Sequence, residues 1–527
     1  MASNAAYKVL ITTSGTGSRL GDITKYTNKS LVKVGKKPAI SYIIEQYPKN
    51  TEFVITVGYF GNHVRDFLKL VYPDRKFKFV EVDAYEGEGS SLGYSMLQAA
   101  SRLQCPFIYH ACDTIVTGKK IPLPKMNWIG GFSGQGSSQY TSFDAVDGKV
   151  QRMYDKGMID PDFLHIGLIG IHEYRIFWKN LKELYRKNPK NSALNDVEVI
   201  SKMLEQGSRF GVVEFKTWYD IGNVESLNKA REKIEDSFRI LDKSDESIFI
   251  FDTFVVKFFS DEKMVAQRVA RAKVLHGLVP EIQGTAKNFY RYKYAQGQLY
   301  SKVATPKDFS YFLAWSKKNL WKPNTEVDEG SFKKICHDFY YVKTIERVEK
   351  FLKTRSIKDA DIFINGERVP TVKKMLKMID FDELCGAKQS GFHGDFILDN
   401  LLKSKDGYVL LDWRQNFGGL IKSGDLYYDL SKLNHNLTVN HEIVNNDQFT
   451  IKIGKDGVSC DIFRKENLVQ CQKVLFEFLE ENGYSSKKVK ILTAIIWLNM
   501  SPLHHHPFDL FLFYFGKFNL WRAINEK

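Results

Sequence analysis

A chain of 527 residues is too long for one hydrophobic core, so two or three domains are expected. Hydrophobic residues at 43% and charged residues at 26% are those of a soluble globular protein. The net charge of +14 is spread along the whole chain instead of forming a stripe or basic tail. Phosphorylated small substrates or a general attraction to anionic surfaces explain it better than nucleic acid does.

No run of eighteen uncharged apolar residues is present, so no transmembrane helix and no stable membrane insertion are expected. The start, MASNAAYKVLITT, lacks a basic segment followed by a long apolar one, which argues against secretion. Six scattered cysteines without a CxxC pair fit reduced thiols and a cytoplasmic location, not a disulfide framework or zinc site.

In chain order, the apolar run Lys8–Thr13 reads as a buried strand, followed by SGTGSRLGDITKYTNKSLVKVGKKP over Ser14–Pro38. Gly15 and Gly17 permit a tight turn that brings N–H groups near an anion, and Arg19 and Lys29 add full charges at the same place. Such an arrangement suits a triphosphate.

Strand and helix patterns then alternate. Glu52–Val57, Phe77–Val82 and Pro106–Ala111 read as strands, and Gly61–Leu70 and Leu92–Leu103 as helices. The alternation predicts a parallel sheet covered by helices, with ligands at the carboxyl ends of strands. Asp113 and Asp220 stand at such ends, the second just before a helix over Val224–Asp236. Between them, Gly87–Leu92 (GEGSSL) offers Ser90 and Ser91 as hydrogen-bond donors, or simply a flexible loop with a serine cap. Tyr140–Val146, Gln151–Tyr154 and Leu164–His172 have strand character and suit an acceptor lid, with Asp196 and Glu198 as weak candidates for contact.

GxGxR, a lysine ten residues after the arginine, and KP resemble the signature of nucleotidyltransferases that activate sugar phosphates and choline phosphate. NKSL at Asn28–Leu31 is most similar to the phosphocholine cytidylyltransferase branch. The resemblance implies a Rossmann-like α/β domain over residues 1–236. In it Gly15, Gly17 and Arg19 hold the nucleotide phosphates, Lys29 stabilises the attacked α-phosphate, Asp113 and Asp220 bind Mg2+, and CTP is the expected nucleotide.

Apolar periodicity lapses over Ser237–Ser247, which suits a linker. Beyond it Thr253–Phe259 places Lys257 inside an apolar strand, where an ammonium is costly unless it meets an anion. A helix over Glu262–Leu278 and a strand over Phe289–Tyr294 follow. Far downstream come SGFHGDFILDNL (Ser390–Leu401), VLLDWRQNFGG (Val409–Gly419) and GDLYYDLSKL (Gly424–Leu433).

This set resembles the choline kinases and aminoglycoside phosphotransferases, whose catalytic loop reads HGDxxxxN and whose metal aspartate follows an apolar strand. The likeness implies a two-lobed α+β protein-kinase-like domain over 248–527, with the small lobe near 248–302 and the large lobe near 303–527. It also implies ATP as phosphoryl donor, Lys257 on the nucleotide, Asp395 as acceptor of the hydroxyl proton, and Asn400 and Asp412 on Mg2+. His393 would brace the loop and Asp429 would steady it.

Three departures stand out. No glycine lies between Ile248 and Lys257, and no glutamate between Lys263 and Pro280 can pair with that lysine. Arg268 and Arg271 occupy the helix instead. Arg414, two residues after Asp412, stands where choline kinases tend to carry an acidic residue. It would repel an ammonium substrate and attract a carboxylate or phosphate.

The last third reads as helical, over Asn467–Glu481 and Val489–Asn499, and ends in aromatic-rich Phe508–Trp521. Adjacent His504–His506 point different ways on any element and make a poor metal site.

The expected function is a bifunctional enzyme. It phosphorylates a small alcohol with ATP, then couples the phosphate to a nucleotide with release of pyrophosphate, for surface polysaccharide synthesis. Choline or ethanolamine, a polyol, a sugar and a hydroxy acid all remain open as substrate. The alternatives are a sugar kinase with a UTP- or GTP-dependent sugar-1-phosphate nucleotidyltransferase, or a non-catalytic nucleotide-binding regulator.

Overall fold

The computed structural model describes residues 7–134, 139–158, 160–234 and 243–526. Most of the expected linker, residues 237–242, lies outside the described residues. The chain forms two compact units. The first runs to Val265 and takes in Gln283–Tyr294; the second comprises Ala266–Ile282 and everything from Ala295 onward.

In the first unit nine described strands form one sheet. Its spatial order is Lys76–Glu81, Glu52–Val57, Lys8–Thr12, Phe107–His110, Phe163–Ile171, Asn127–Phe132, Phe210–Glu214, Lys149–Tyr154 and Ser142–Val146. The first four are parallel, as expected. Phe163–Ile171 runs antiparallel to both of its neighbours, so the sheet is mixed, not parallel throughout. Ser142–Val146 and Lys149–Tyr154, joined by the tight turn at Asp147 and Gly148, add a further antiparallel pair, as a hairpin must.

Lys8–Thr12 is buried on both faces and flanked by Glu52–Val57 on one side and Phe107–His110 on the other. The chain therefore leaves it in one direction and returns in the other, which opens a crevice at its carboxyl end. Helix Gly61–Val71 buries Val64, Phe67 and Leu68.

A second sheet of the first unit is built from Glu246–Ile250, Phe254–Phe259, Phe289–Lys293 and Ile282–Thr285. Its apolar face packs on helix Gly61–Val71. Phe249 meets Phe67 at 5.5 Å between ring centroids, and Phe258 meets His63 at 5.3 Å. The compact units thus divide later in the chain than residues 236–248. These strands bury large aromatic side chains that the helix would otherwise expose.

The second unit is mainly helical. Helix Ser486–Met500 is buried along almost its whole length, between Leu426–Thr438 and Phe508–Asn525. The helical reading of the last third overlooked a four-stranded sheet of Glu367–Val369, Ile362–Ile364, Gly457–Ile462 and Phe449–Gly454. Those strands are short or closed by Gly454 and Gly457, so they leave little periodic signal. Helix Glu329–His337 continues through a π-helical turn, Asp338–Val342, into helix Lys343–Arg355. Among the described residues no helix is long and apolar enough to cross a membrane.

Candidate functional site

The crevice beyond Lys8–Thr12 is a cavity of about 510 Å3 lined by the whole loop from Thr12 to Arg19. Gly17 has φ 68°, and a Cβ there would stand 3.0 Å from the Cβ of Lys29, so only glycine lets the loop lie against that lysine. Gly15 has an ordinary φ and open space around it, so the turn itself does not require glycine there.

Asn28 explains the NKS spelling. Its buried amide donates to the carbonyls of Thr13 (2.8 Å) and Tyr59 (2.6 Å), and its oxygen accepts from the Ser30 N–H (2.9 Å). The short 3-10 turn Lys29–Leu31 is thereby pinned to the end of the central strand.

Two separate stretches bring the carboxylates together. Thr114–Val116 pairs antiparallel with Trp218–Asp220, opposing Thr114 to Asp220, and the Ile221 N–H donates to the Asp113 carbonyl at 3.0 Å. The space over Gly222 records their convergence. A Cβ at that position would lie 3.0 Å from Asp220 Oδ1, 3.2 Å from Asp113 Oδ2 and 3.4 Å from an Arg19 guanidinium nitrogen.

Lys29 Nζ pairs with Asp113 Oδ2. Burial disfavours both charges, but their mutual attraction outweighs it, holding the lysine above and the aspartate below their usual values. Among the described residues no ion pair forms on Asp220. Its oxygens accept from Tyr140 Oη (3.1 Å) and the Gly222 N–H (2.9 Å), and burial plus the like charge of Asp113 push its pKa up.

This donor set fits a hard divalent cation. It offers two carboxylates on one buried spot, one of them short of positive charge, while the remaining ligands would come from phosphate and water. Among the described residues no group of three or more His, Cys, Asp or Glu gathers as a self-sufficient metal cage.

Ser90 and Ser91 both line the cavity, yet Ser90 Oγ donates to the Gly87 carbonyl (2.8 Å), and Ser91 Oγ caps helix Leu92–Ala99 by accepting from the Tyr94 N–H (3.0 Å). Asp196 also lines the cavity and is bound to His165 Nε2 at 2.8 Å, whereas Glu198 is not among the lining residues. His165, within the expected lid strand, was not singled out from sequence. Its Nδ1 is buried without a hydrogen-bond partner among the described residues.

Lys257 lies in the first unit, 8% exposed, its backbone opposite Ile248 and Tyr290. The rest of the kinase-like set lies in the second unit. There the strand Gln389–Ser390 pairs with Gly424–Asp425, laying the loop Gly391–Asn400 beside helix Leu426–Thr438. The hairpin Leu401–Ser404 and Gly407–Leu410 then folds back, and the Leu411 N–H donates to the Asn400 carbonyl at 2.7 Å. This hairpin brings Asn400 to Asp412.

His393 is fully buried. Its Nδ1 accepts from the Asp395 N–H (3.3 Å), so Nε2 carries the proton donated to the Leu411 carbonyl (2.9 Å). Burial lowers its pKa to about 4, and the ring stays neutral as a brace. Asp429 accepts from the His393 and Gly394 N–H groups and from Trp321 Nε1 (3.1 Å).

Asp395 Oδ2 accepts from Asn400 Nδ2 (2.9 Å) and Oδ1 pairs with Lys432 Nζ (2.8 Å). Burial would raise the acid, but the lysine charge wins and takes it down to about 2, so the carboxylate is ionised. Lys432 was missed although it stands three residues after Asp429, on the same helix face.

The arginines that replace the expected glutamate have separate tasks. Arg268 pairs with Asp412 Oδ1 at 2.6 Å. Arg271 is buried, stacks on Phe392 at 4.0 Å and donates to the carbonyls of Phe392 (2.5 Å) and Ile421 (2.9 Å). Asp412 and the Asn400 amide oxygen are hard donors suited to Mg2+, with Arg268 a competing cation on the first of them. Arg414 lines a smaller cavity next to Asp395.

No protein-family model matches the sequence, and no curated protein matches it. Among solved structures the chain is similar to a CTP:phosphocholine cytidylyltransferase from Streptococcus pneumoniae, at 21% identity over 44% of this chain and 100% of that one, TM-score 0.38. It is also similar to a putative glucose-1-phosphate thymidylyltransferase from Bacillus anthracis, at 19% identity over 45% and 98% of the two chains, TM-score 0.39. A third is the inositol-1-phosphate CTP transferase from T. maritima, at 14% identity over 44% and 97%, TM-score 0.34.

Proposed function

We propose that the chain is a bifunctional transferase acting on one small hydroxylated metabolite. The second unit moves the γ-phosphoryl group of ATP to the hydroxyl, and the first couples the resulting phosphate ester to a nucleoside monophosphate with release of pyrophosphate. CTP is the expected nucleotide, and a precursor for surface polysaccharide made in the cytoplasm the expected product.

The observation that carries this reading is the convergence of Asp113, Asp220 and Arg19 on the space over Gly222, with Lys29 paired to Asp113. Arg19 and the loop N–H groups would orient the triphosphate, and Lys29 would meet the charge that develops on the attacked α-phosphate. Bound Mg2+ would neutralise phosphate charge between the two aspartates. In the second unit Asp395 would take the hydroxyl proton, with Asn400 and Asp412 as the Mg2+ donors.

Product masses decide between the activities. With the full chain, ATP, CTP and a panel of alcohols, Asp395→Asn is expected to abolish ATP consumption yet leave turnover of a supplied phosphate ester. Lys29→Ala is expected to do the reverse. Loss of both activities in either variant overturns the assignment to separate sites.

The ion pair between Arg268 and Asp412 favours a second reading, a nucleotide-binding regulator without phosphotransfer. Titrating the full chain and its Lys29→Ala variant with ATP and Mg2+ in a calorimeter tests it, since the regulator would bind nucleotide without forming ADP.

A further inference from the structure

The second unit holds a cavity of about 160 Å3 against Asp395. Four cations line it, Lys343, Arg347, Arg414 and Lys432, and Asp395 is the sole carboxylate among its lining residues. Lys432 is committed to Asp395. The other three have no carboxylate within ion-pair distance among the described residues. Arg347 donates to the Asn499 carbonyl (3.1 Å) and Arg414 Nε to the Asn416 carbonyl (3.1 Å).

Phe339, Tyr340 and Tyr428 line the cavity, and the protein's own side chains already lie against two of these rings. Lys343 Nζ lies 3.8 Å from the Phe339 ring centre, and the Arg414 guanidinium lies 5.2 Å from Phe339 and 6.0 Å from Tyr428. An ammonium guest would therefore find Phe339 and Tyr428 already met by the protein's own side chains and the guanidinium charges of Arg347 and Arg414 facing it. Burial, then the charges of Arg414, Arg347 and Lys432, lower the Lys343 pKa to about 6, so an anion entering the pocket would meet the two guanidinium charges and draw a proton onto Lys343. The volume equals roughly five water molecules' share of the liquid, room for a compound of a few carbons.

Resting on the phosphotransferase reading of this unit, we propose that its acceptor is a small alcohol bearing its own anionic group, a carboxylate or a phosphate ester. Lys343, Arg347 and Arg414 hold the anion and turn the hydroxyl toward Asp395. In the transfer the hydroxyl proton passes to Asp395 and the alcohol oxygen bonds to the γ-phosphorus of ATP. The bond from that phosphorus to the β,γ-bridging oxygen breaks, and ADP leaves with the electron pair. The ester handed on to the nucleotide-coupling step then carries two anionic groups.

The test uses the full chain with ATP and Mg2+, reading ADP release with D-glycerate, sn-glycerol 3-phosphate, glycerol and choline. An anionic alcohol is expected to exceed glycerol and choline in kcat/KM by at least ~100-fold, and Lys343→Met and Arg347→Met each to raise its KM ~10-fold with a smaller change in kcat. A preference for choline or glycerol overturns the proposal while leaving the kinase reading intact. If no alcohol releases ADP, the kinase reading fails, and the pocket is judged by binding. D-glycerate and inorganic phosphate are expected to raise the melting temperature of the parent chain but not of Lys343→Met. An equal rise in both, or none in either, overturns the anion site.

Discussion

Asp429 receives the N–H of His393 on one carboxylate oxygen and the N–H of Gly394 on the other, both at 2.7 Å. Those N–H groups belong to the residues just before Asp395, so the carboxylate fixes the loop on which the proposed base sits. Asp429→Asn would set an NH2 group against one of the two N–H donors. It is expected to cost about 2 kcal/mol of stability and at least ~10-fold in ADP release, read by thermal unfolding and by the kinase assay.

The same carboxylate has a pH signature. Burial raises the folded-state pKa of Asp429 to about 6, above the 3.8 of an unperturbed aspartate. The folded chain therefore binds the extra proton, and this contribution to stability is full below pH 3.8 and lost as pH rises to about 6. In Asp429→Asn that component of the pH dependence should vanish, as unfolding measured between pH 4 and 7 would show.

Gly222 is expected to be a steric sensor of the first site. Its φ is unremarkable, so alanine is tolerated by the backbone, but the added methyl would enter the space shared by Asp113, Asp220 and Arg19. Gly222→Ala should lower pyrophosphate release by at least ~10-fold and leave ATP-dependent phosphorylation unchanged. Equal loss of both steps would contradict the assignment.

Lys432 keeps Asp395 ionised. The aspartate's folded-state pKa of about 2 lies below its unperturbed value of 3.8, so its stabilising share is present above pH 3.8 and fades as pH falls toward 2. Lys432→Met removes the nearby charge. The acid limb of the kinase pH profile should then move up by at least about one unit, while the thermal stability lost at pH 7 should be partly absent at pH 3.

Lys343 predicts a pH slope opposite to that of Asp429. Its folded-state pKa of about 6 lies below the ordinary lysine value of 10.5, so between those limits the unfolded chain binds more protons and stability rises with pH. Lys343→Met is expected to stabilise the chain at pH 7 by more than about 1 kcal/mol and to flatten that slope. A destabilised variant would mean that the ammonium has a partner the geometry does not provide.

The residues on which the proposal rests were largely legible before any fold was known. GxGxR, Lys29, HGDFILDN and Asp412 are local strings whose residue types suggest the proposed binding, and apolar periodicity placed strands such as Lys8–Thr12 and Glu52–Val57 and helices such as Gly61–Val71, but not Tyr174–Lys187, Pro306–Asn319 or Lys343–Arg355. What could not be read was adjacency. Nothing in the string says that Gly222 must stay bare, that Lys432 comes to rest on Asp395, or that Arg268 settles on Asp412. Lys343 and Arg347 left only a faint trace, two like charges four residues apart on one helix, which is unfavourable unless something binds between them.

The strands around Lys257 were legible as strands but not as partners of helix Gly61–Val71. Their alternation reports that one face is apolar and is silent about which surface covers it. Residue types and local spacing thus determined which groups are on offer for the proposed chemistry. Which of those groups meet was decided by burial of distant apolar faces, because contacts between residues tens to hundreds of positions apart form only when the core closes around them.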